Sequence, residues 1–128
     1  MERLGGHRRT HGLHARKGRP LIRVLTWVTD MTHYVDERGQ PAKLPGRVAL
    51  LANHFGRIVS AVSRMQPGVV APLQVRCRRR PGRRLCGGRV EGGINLDNDC
   101  VQWGCPACGD HGYIHEWRGT PWDRGVAS

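Results

Sequence analysis

Two thiols separated by two residues, Cys105-Pro106-Ala107-Cys108, lie on a turn that Gly109 follows. Proline fixes the backbone inside the turn and glycine lets it reverse, so both sulfurs can face a single ion. A tetrahedral metal needs two further ligands. Cys86, followed by Gly87-Gly88, and Cys77 before it supply them. The 18 residues between Cys86 and Cys105 match the roughly 15–20 that separate the two cysteine pairs of a four-thiolate zinc site. The first pair is the departure, with eight residues between Cys77 and Cys86 where about two to four are usual. Cys77, Cys86, Cys105 and Cys108 are therefore read as ligands of one Zn2+, on an enlarged first turn. The glycines after Cys86 and Cys108 leave backbone N–H groups free to approach the sulfurs.

Two residues compete for the fourth ligand position. Cys100 is the surplus thiol, either a packed small hydrophobe or a replacement for Cys77. His111, three residues past Cys108, would give a Cys3His site. A redox pair normally opens a helix after a strand, whereas Gly109-Asp110-His111-Gly112 begins no helical pattern. Four thiolates close a coordination shell that catalytic zinc keeps open. Asp110, Glu116 and Asp123 are scattered, and neither a glycine-rich phosphate loop nor a nucleophile motif is present. The expectation is a protein that is not an enzyme. Trp103, Trp117 and Trp122 have the rings to stack on bases, but read first as packing residues.

The enlarged turn is also the most basic stretch. The chain has 128 residues and a formal charge of +11. Residues 76–89 hold seven arginines and no acid, and residues 1–23 hold seven basic groups against Glu2. Residues 90–128, by contrast, carry six acids against two arginines. Concentrated positive charge favours polyanions, so Arg78, Arg79, Arg80, Arg83 and Arg84 are candidate nucleic-acid contacts. The competing reading is a solvated arginine-rich loop. No apolar run approaches the roughly 20 residues of a membrane span, and Leu21 to Val28, interrupted by Arg23, lacks a secretory cleavage site. A cytoplasmic protein without a membrane partner is expected, in a compartment where cysteines bind metal rather than form disulfides.

The elements that must position these groups are few. Val48, Leu51, Phe55, Ile58, Val59 and Val62 recur at the spacing of one helix face, which predicts a helix over 46–64. Pro45 suits its first turn and Pro67-Gly68 stops it. His54 borders the apolar face as a packing residue. Leu73, Val75 and Cys77 alternate with polar residues as in a half-buried strand. Residues 89–94 and 100–103 flank the turn composition Asn95-Leu96-Asp97-Asn98-Asp99 and read as a hairpin joining the two metal turns. Residues 113–117 make a last strand, and 21–28 are either a strand or a helical turn leading to a turn at 37–41. Residues 1–23 have too little apolar surface to order and read as a disordered basic tail, or as an extension ahead of a start at Val24 or Met31.

The run Trp103-Gly104-Cys105-Pro106-Ala107-Cys108-Gly109-Asp110-His111-Gly112-Tyr113-Ile114, with Trp117-Arg118-Gly119-Thr120-Pro121-Trp122-Asp123, resembles small uncharacterised proteins of GC-rich bacteria. Arg76 to Cys86 and Thr29-Asp30-Met31-Thr32-His33 share that likeness, which covers about residues 24–123. It implies a small bacterial cytosolic protein and no particular activity. The second turn is similar to zinc ribbons generally, while the long first turn departs from them. The expected fold is α+β, one amphipathic helix beside a small antiparallel sheet closed by a zinc ribbon. The expected organisation is a tail (1–23), an N-terminal segment carrying the helix (24–68), a ribbon-like module (69–123) and a short tail (124–128). Two functions follow, nucleic-acid binding through the arginine turn or a structural adaptor that binds another protein.

Overall fold

The periodic apolar residues of the middle of the chain wind into α1 (Gly46–Val62). In the computed structural model, which describes residues 7–10, 25–80, 82 and 84–125, Pro45 stands just before the helix in an extended conformation and Ser63 caps its end. The buried side is Ala52, His54, Phe55, Ile58, Val59 and Val62, with Gly56 among them. Val48, expected on that side, is instead 38 % exposed.

That sheet has six strands, β1 (His7–Thr10), β2 (Leu25–Asp30), β3 (Ala71–Arg76), β4 (Arg89–Ile94), β5 (Val101–Gly104) and β6 (His111–His115), in the order β1-β2-β6-β5-β4-β3. From β3 through β6 every neighbouring pair is antiparallel. The β4–β5 hairpin turns at residues 95–99, where Asn95 N–H donates to Cys100 O and Asp99 takes a φ of 60°. The purely antiparallel sheet expected from the sequence needs one correction. β2 lies beside β6 in parallel, pairing Thr26 with His111 and Asp30 with His115. Parallel neighbours require a long crossover, and here the whole stretch holding α1 and β3 to β5 provides it. Among residues 1–23, only His7–Thr10 are described, and they run antiparallel to β2 rather than as part of a tail. The rest of that tail, residues 21–24 and the terminal 126–128 lie outside the described residues. After β2 the chain makes a 3-10 turn (Met31–Tyr34) and a reversal in which Asp36 accepts the N–H groups of Arg38 and Gln40.

The core lies between α1 and one face of the sheet. Phe55, Ile58, Val59 and Val62 meet Leu73, Val75, Val90, Val101, Trp103 and Ile114, with Met31 and Trp117 closing the ends. His54, Phe55, Trp103 and Trp27 form a continuous ring cluster with centroids 5.7–6.1 Å apart. The C-terminal segment then crosses the outside of the helix. Ser60 Oγ donates to Trp122 O at 2.7 Å, and Arg124 N–H donates to Ser63 Oγ at 2.8 Å. The Trp122 ring fills the notch left by Gly56, where an added Cβ would lie 2.5 Å from Trp122 Nε1.

Two predictions follow from this packing. Alanine at a helix interior gains about 1 kcal/mol over glycine in propensity, but overpacking costs about 1–3 kcal/mol, and the stiff indole sits on a backbone that Ser60 anchors. Gly56→Ala should therefore lower the urea midpoint, whereas the same change in a Trp122→Ala background should raise it. A more stable Gly56→Ala single variant would contradict this packing. His54, in turn, is held down to about 4, first by burial and then by Arg78 and Arg57. The unfolded chain takes up that proton near 6.5, so stability is lost as pH falls from about 6.5 through about 4, by roughly 3 kcal/mol at most. His54→Leu removes this dependence. The stability of wild type relative to the variant should decline across that window, and a constant difference would count against a buried neutral His54.

Candidate metal centre

The strand β3 runs out of the core at Cys77, and β5 runs out at Cys105 on the same end of the sheet. Each strand is followed by a hook, and the two hooks face each other. The Sγ atoms of Cys77, Cys86, Cys105 and Cys108 all lie within 4.8 Å of one another. The Cys77–Cys108 and Cys86–Cys105 sulfur pairs are each 3.7 Å apart. Thiolates about 2.3 Å from a tetrahedral ion would sit about 3.8 Å from one another. The spacing therefore suits a metal ion, and it is far beyond the roughly 2.05 Å of a disulfide; all five cysteines are free.

The hooks are built alike. In the second, Cys105 N–H donates to Asp110 O at 2.8 Å and Gly109 N–H to Cys105 O at 2.7 Å. In the first, Cys77 N–H donates to Gly88 O at 2.8 Å. Gly87 and Gly109, each the residue after a ligand, take left-handed φ angles of 71° and 85°, which glycine adopts without strain. Three sulfurs accept a backbone N–H from two residues downstream: Arg79 to Cys77 at 3.4 Å, Gly88 to Cys86, and Asp110 to Cys108. Gly88 is also required for space, since an added Cβ would fall 2.9 Å from Cys105 Sγ and 2.8 Å from the Ala107 methyl.

The long first turn is pinched at its base. Cys86 N–H donates to Arg79 O at 2.8 Å, so the ligand-bearing part is Cys77-Arg78-Arg79 meeting Cys86-Gly87-Gly88, and the six residues between Arg79 and Cys86 are closed off by that bond. With those six residues removed the hook would read Cys-Arg-Arg-Cys-Gly-Gly, the same frame as Cys-Pro-Ala-Cys-Gly-Asp.

Thiol acidity follows position. Burial pushes Cys77 far above the ordinary thiol range and raises Cys108 as well. Cys86, at the solvent side, is pulled down, foremost by the Gly88 N–H. Neither competitor for the fourth place belongs to the cluster. Cys100 is buried at the hairpin, its N–H bonded to Asn98 Oδ1, and burial raises its thiol too. His111 spends both ring nitrogens elsewhere. Nδ1 lies 2.9 Å from the Gly109 carbonyl, which can only accept, so the proton sits there. Nε2 then accepts from the Thr26 hydroxyl at 2.9 Å.

The arginines divide. Arg78, Arg80 and Arg84 are exposed, while Arg83 and Pro81 lie outside the described residues. Arg79, grouped with them from the sequence, is a structural residue, with Nη1 3.3 Å from Asp110 Oδ1 and only 25 % of its side chain exposed. Asp110 was not singled out as a site residue. Its carboxylate also accepts from Trp27 Nε1 at 3.2 Å, its carbonyl closes the second hook, and its N–H serves Cys108. Burial raises its pKa, outweighing the opposing pull of Trp27 and Arg79. Its place directly after Cys108-Gly109 was the only signal available.

The purified protein should carry about one metal ion per chain by elemental analysis. Cys105→Ser or Cys108→Ser should lose both metal and the folded signal, whereas Cys100→Ala should keep the ion. Replacing residues 80–85 with a single glycine restores a spacing within the usual range and should also keep it. Loss of metal from that shortened protein would mean that the loop belongs to the coordination frame.

No protein-family model matches the chain, and no curated protein or solved structure does either.

Proposed function

We propose that this is a non-enzymatic zinc protein whose two hooks form a zinc ribbon, and whose loop at 80–85, with Arg78 at its base, contacts nucleic acid. Tetrahedral sulfur sites take zinc or iron, and the spacing of the two cysteine pairs favours zinc. Four thiolates leave no position for substrate or water, so the ion is structural. A cytoplasmic setting, where thiols stay reduced, suits the free cysteines; no helix among the described residues is long and apolar enough to cross a membrane.

The observation that carries the reading is the bond between Cys86 N–H and Arg79 O. It separates the loop from the geometry of the ion, so the charge at Arg78, Arg80 and Arg84 has no coordination role and remains exposed. Guanidiniums in that position match phosphate oxygens. An adaptor role is the second reading, favoured by a different surface. Val69, Val70 and Leu96 are 47 %, 68 % and 73 % exposed and gather at the β3–β4 end of the sheet, Leu96 packing towards Gly68 and Val69 against Gly93.

The metal should be zinc, and cobalt substitution should give the intense visible absorption of tetrahedral thiolate; an iron-coloured native protein would contradict zinc. For the loop, Arg78→Gln/Arg80→Gln/Arg83→Gln/Arg84→Gln should keep its metal and thermal stability. Its binding to mixed-sequence DNA should weaken at least tenfold, with the salt slope flattened by roughly 0.7–0.9 per lost phosphate contact. Absence of wild-type binding at low salt, or equal binding by this variant, would remove the nucleic-acid reading and leave the apolar surface as the candidate.

A further inference from the structure

The outer side of α1 does not end at solvent in the way an ordinary amphipathic helix does. Its exposed stripe, Arg47, Leu50, Asn53 and Arg57, continues through Ser60 to Arg64 beyond the last turn, at steps of three and four residues. The C-terminal segment lies along this stripe and makes it one wall of a groove. The groove has a volume of about 510 Å3 and is lined by Asn53, Arg57, Ser60, Arg64, Gln74 and Trp122, among others, with no acidic side chain in its wall. That volume falls within the roughly 300–1,000 Å3 of small-ligand clefts.

We propose that this groove binds one nucleotide unit of a single-stranded nucleic acid, with Arg57 and Arg64 on the phosphates and the base against Trp122. The inference deepens the nucleic-acid reading of the arginine loop and rests on it for the class of ligand. Arg57 on α1 and Arg64 just past its last turn both line the groove, so one polyanion strand can meet both. Trp122 is half-buried, and its backbone is fixed by Ser60. A ring set in this way is a stacking platform that needs no ordering when a base arrives. Asn53 and Gln74 carry amides with both donor and acceptor capacity, the chemistry that base edges present. A cleft between one helix and a crossing segment admits an unpaired base and excludes a duplex, whose bases are stacked and paired.

Arg57 on α1 and Arg78 at the base of the loop both act on His54. Arg118 does not contribute, because Asp99 holds it in two bonds of 2.6 and 2.8 Å.

Fluorescence anisotropy of a labelled mixed-sequence octanucleotide on the full-length metal-loaded protein tests this. Arg57→Gln/Arg64→Gln should weaken binding about tenfold and flatten the salt slope by about 1.4, at roughly 0.7 per single-strand phosphate. Metal content should be unchanged, and the single strand should outcompete a duplex of the same sequence. If this variant binds as wild type does while the loop variant fails, the groove is overturned and the loop reading survives. If the groove variant loses affinity and the loop variant does not, the groove stands without the loop. Tighter binding of duplex than of single strand overturns the groove, and absence of any wild-type binding overturns both.

Discussion

Everything at one end of this molecule depends on four sulfurs approaching to within 4.8 Å. Buried thiols gain little from one another. Ionised, they repel, and neutral, they are weak hydrogen-bond partners. An ion of charge +2 among them would turn that repulsion into the strongest local attraction and leave a net charge near −2 for hydrogen bonds and neighbouring cations to spread. The three backbone N–H groups of Arg79, Gly88 and Asp110 do the first. Cys77 and Cys105 belong to the main core as well as to the cluster, so the ion site and the hydrophobic interior are one packed body. In a chain whose described residues hold one α-helix, of 17 residues, an ion there would join two hooks that bury little surface of their own.

Asp110 extends the constraint across the sheet. Its backbone closes the second hook, its carboxylate takes Arg79 from the first hook, and it takes Trp27 from β2. β2 is held besides by its ladders with β1 and β6 and by Trp27 against Phe55. The parallel pairing is thus locked at its start by Thr26 on His111 and by Trp27 on Asp110. A buried carboxylate with an imperfect ion pair contributes less to stability than to specificity of arrangement. Here it fixes the register between an N-terminal strand and a C-terminal hook that are far apart in sequence.

The helix was legible because Phe55, Ile58, Val59 and Val62 recur at 3.6-residue spacing and Pro45 and Pro67 bracket them. The thiols were legible because the spacing of cysteines reports ligation more directly than any other residue pattern. The β4–β5 hairpin announced itself through Asn95 to Asp99. The neighbour of β2 was not legible. Residues 21–28 read as either a strand or a helical turn, and nothing in them says whether β6 lies parallel beside them or elsewhere. Two strands separated by most of the chain carry no turn chemistry to fix their order. Arg79 was indistinguishable from Arg78 or Arg80 in sequence, since only the fold decides which guanidinium meets a carboxylate. The contact of Gly56 with the Trp122 ring was not legible either, since the two residues share no local signal.

The first hook shows why the width of the cysteine pair misled the sequence reading less than it could have. Ligand geometry depends on where the backbone is when each sulfur leaves it, and not on how many residues intervene. One hydrogen bond, Cys86 N–H to Arg79 O, brings the backbone back after six residues to the point where a short turn would have placed it. Loop closure costs little more for eight residues than for two, since the entropy grows only with the logarithm of length. The long turn is therefore compatible with the same coordination as the short one. Arg80 and Arg84, past that bond, lie outside the requirement that shaped Cys-Pro-Ala-Cys. Surface that a scaffold does not need is where recognition is most readily placed, and in this chain that surface carries the positive charge of Arg80 and Arg84.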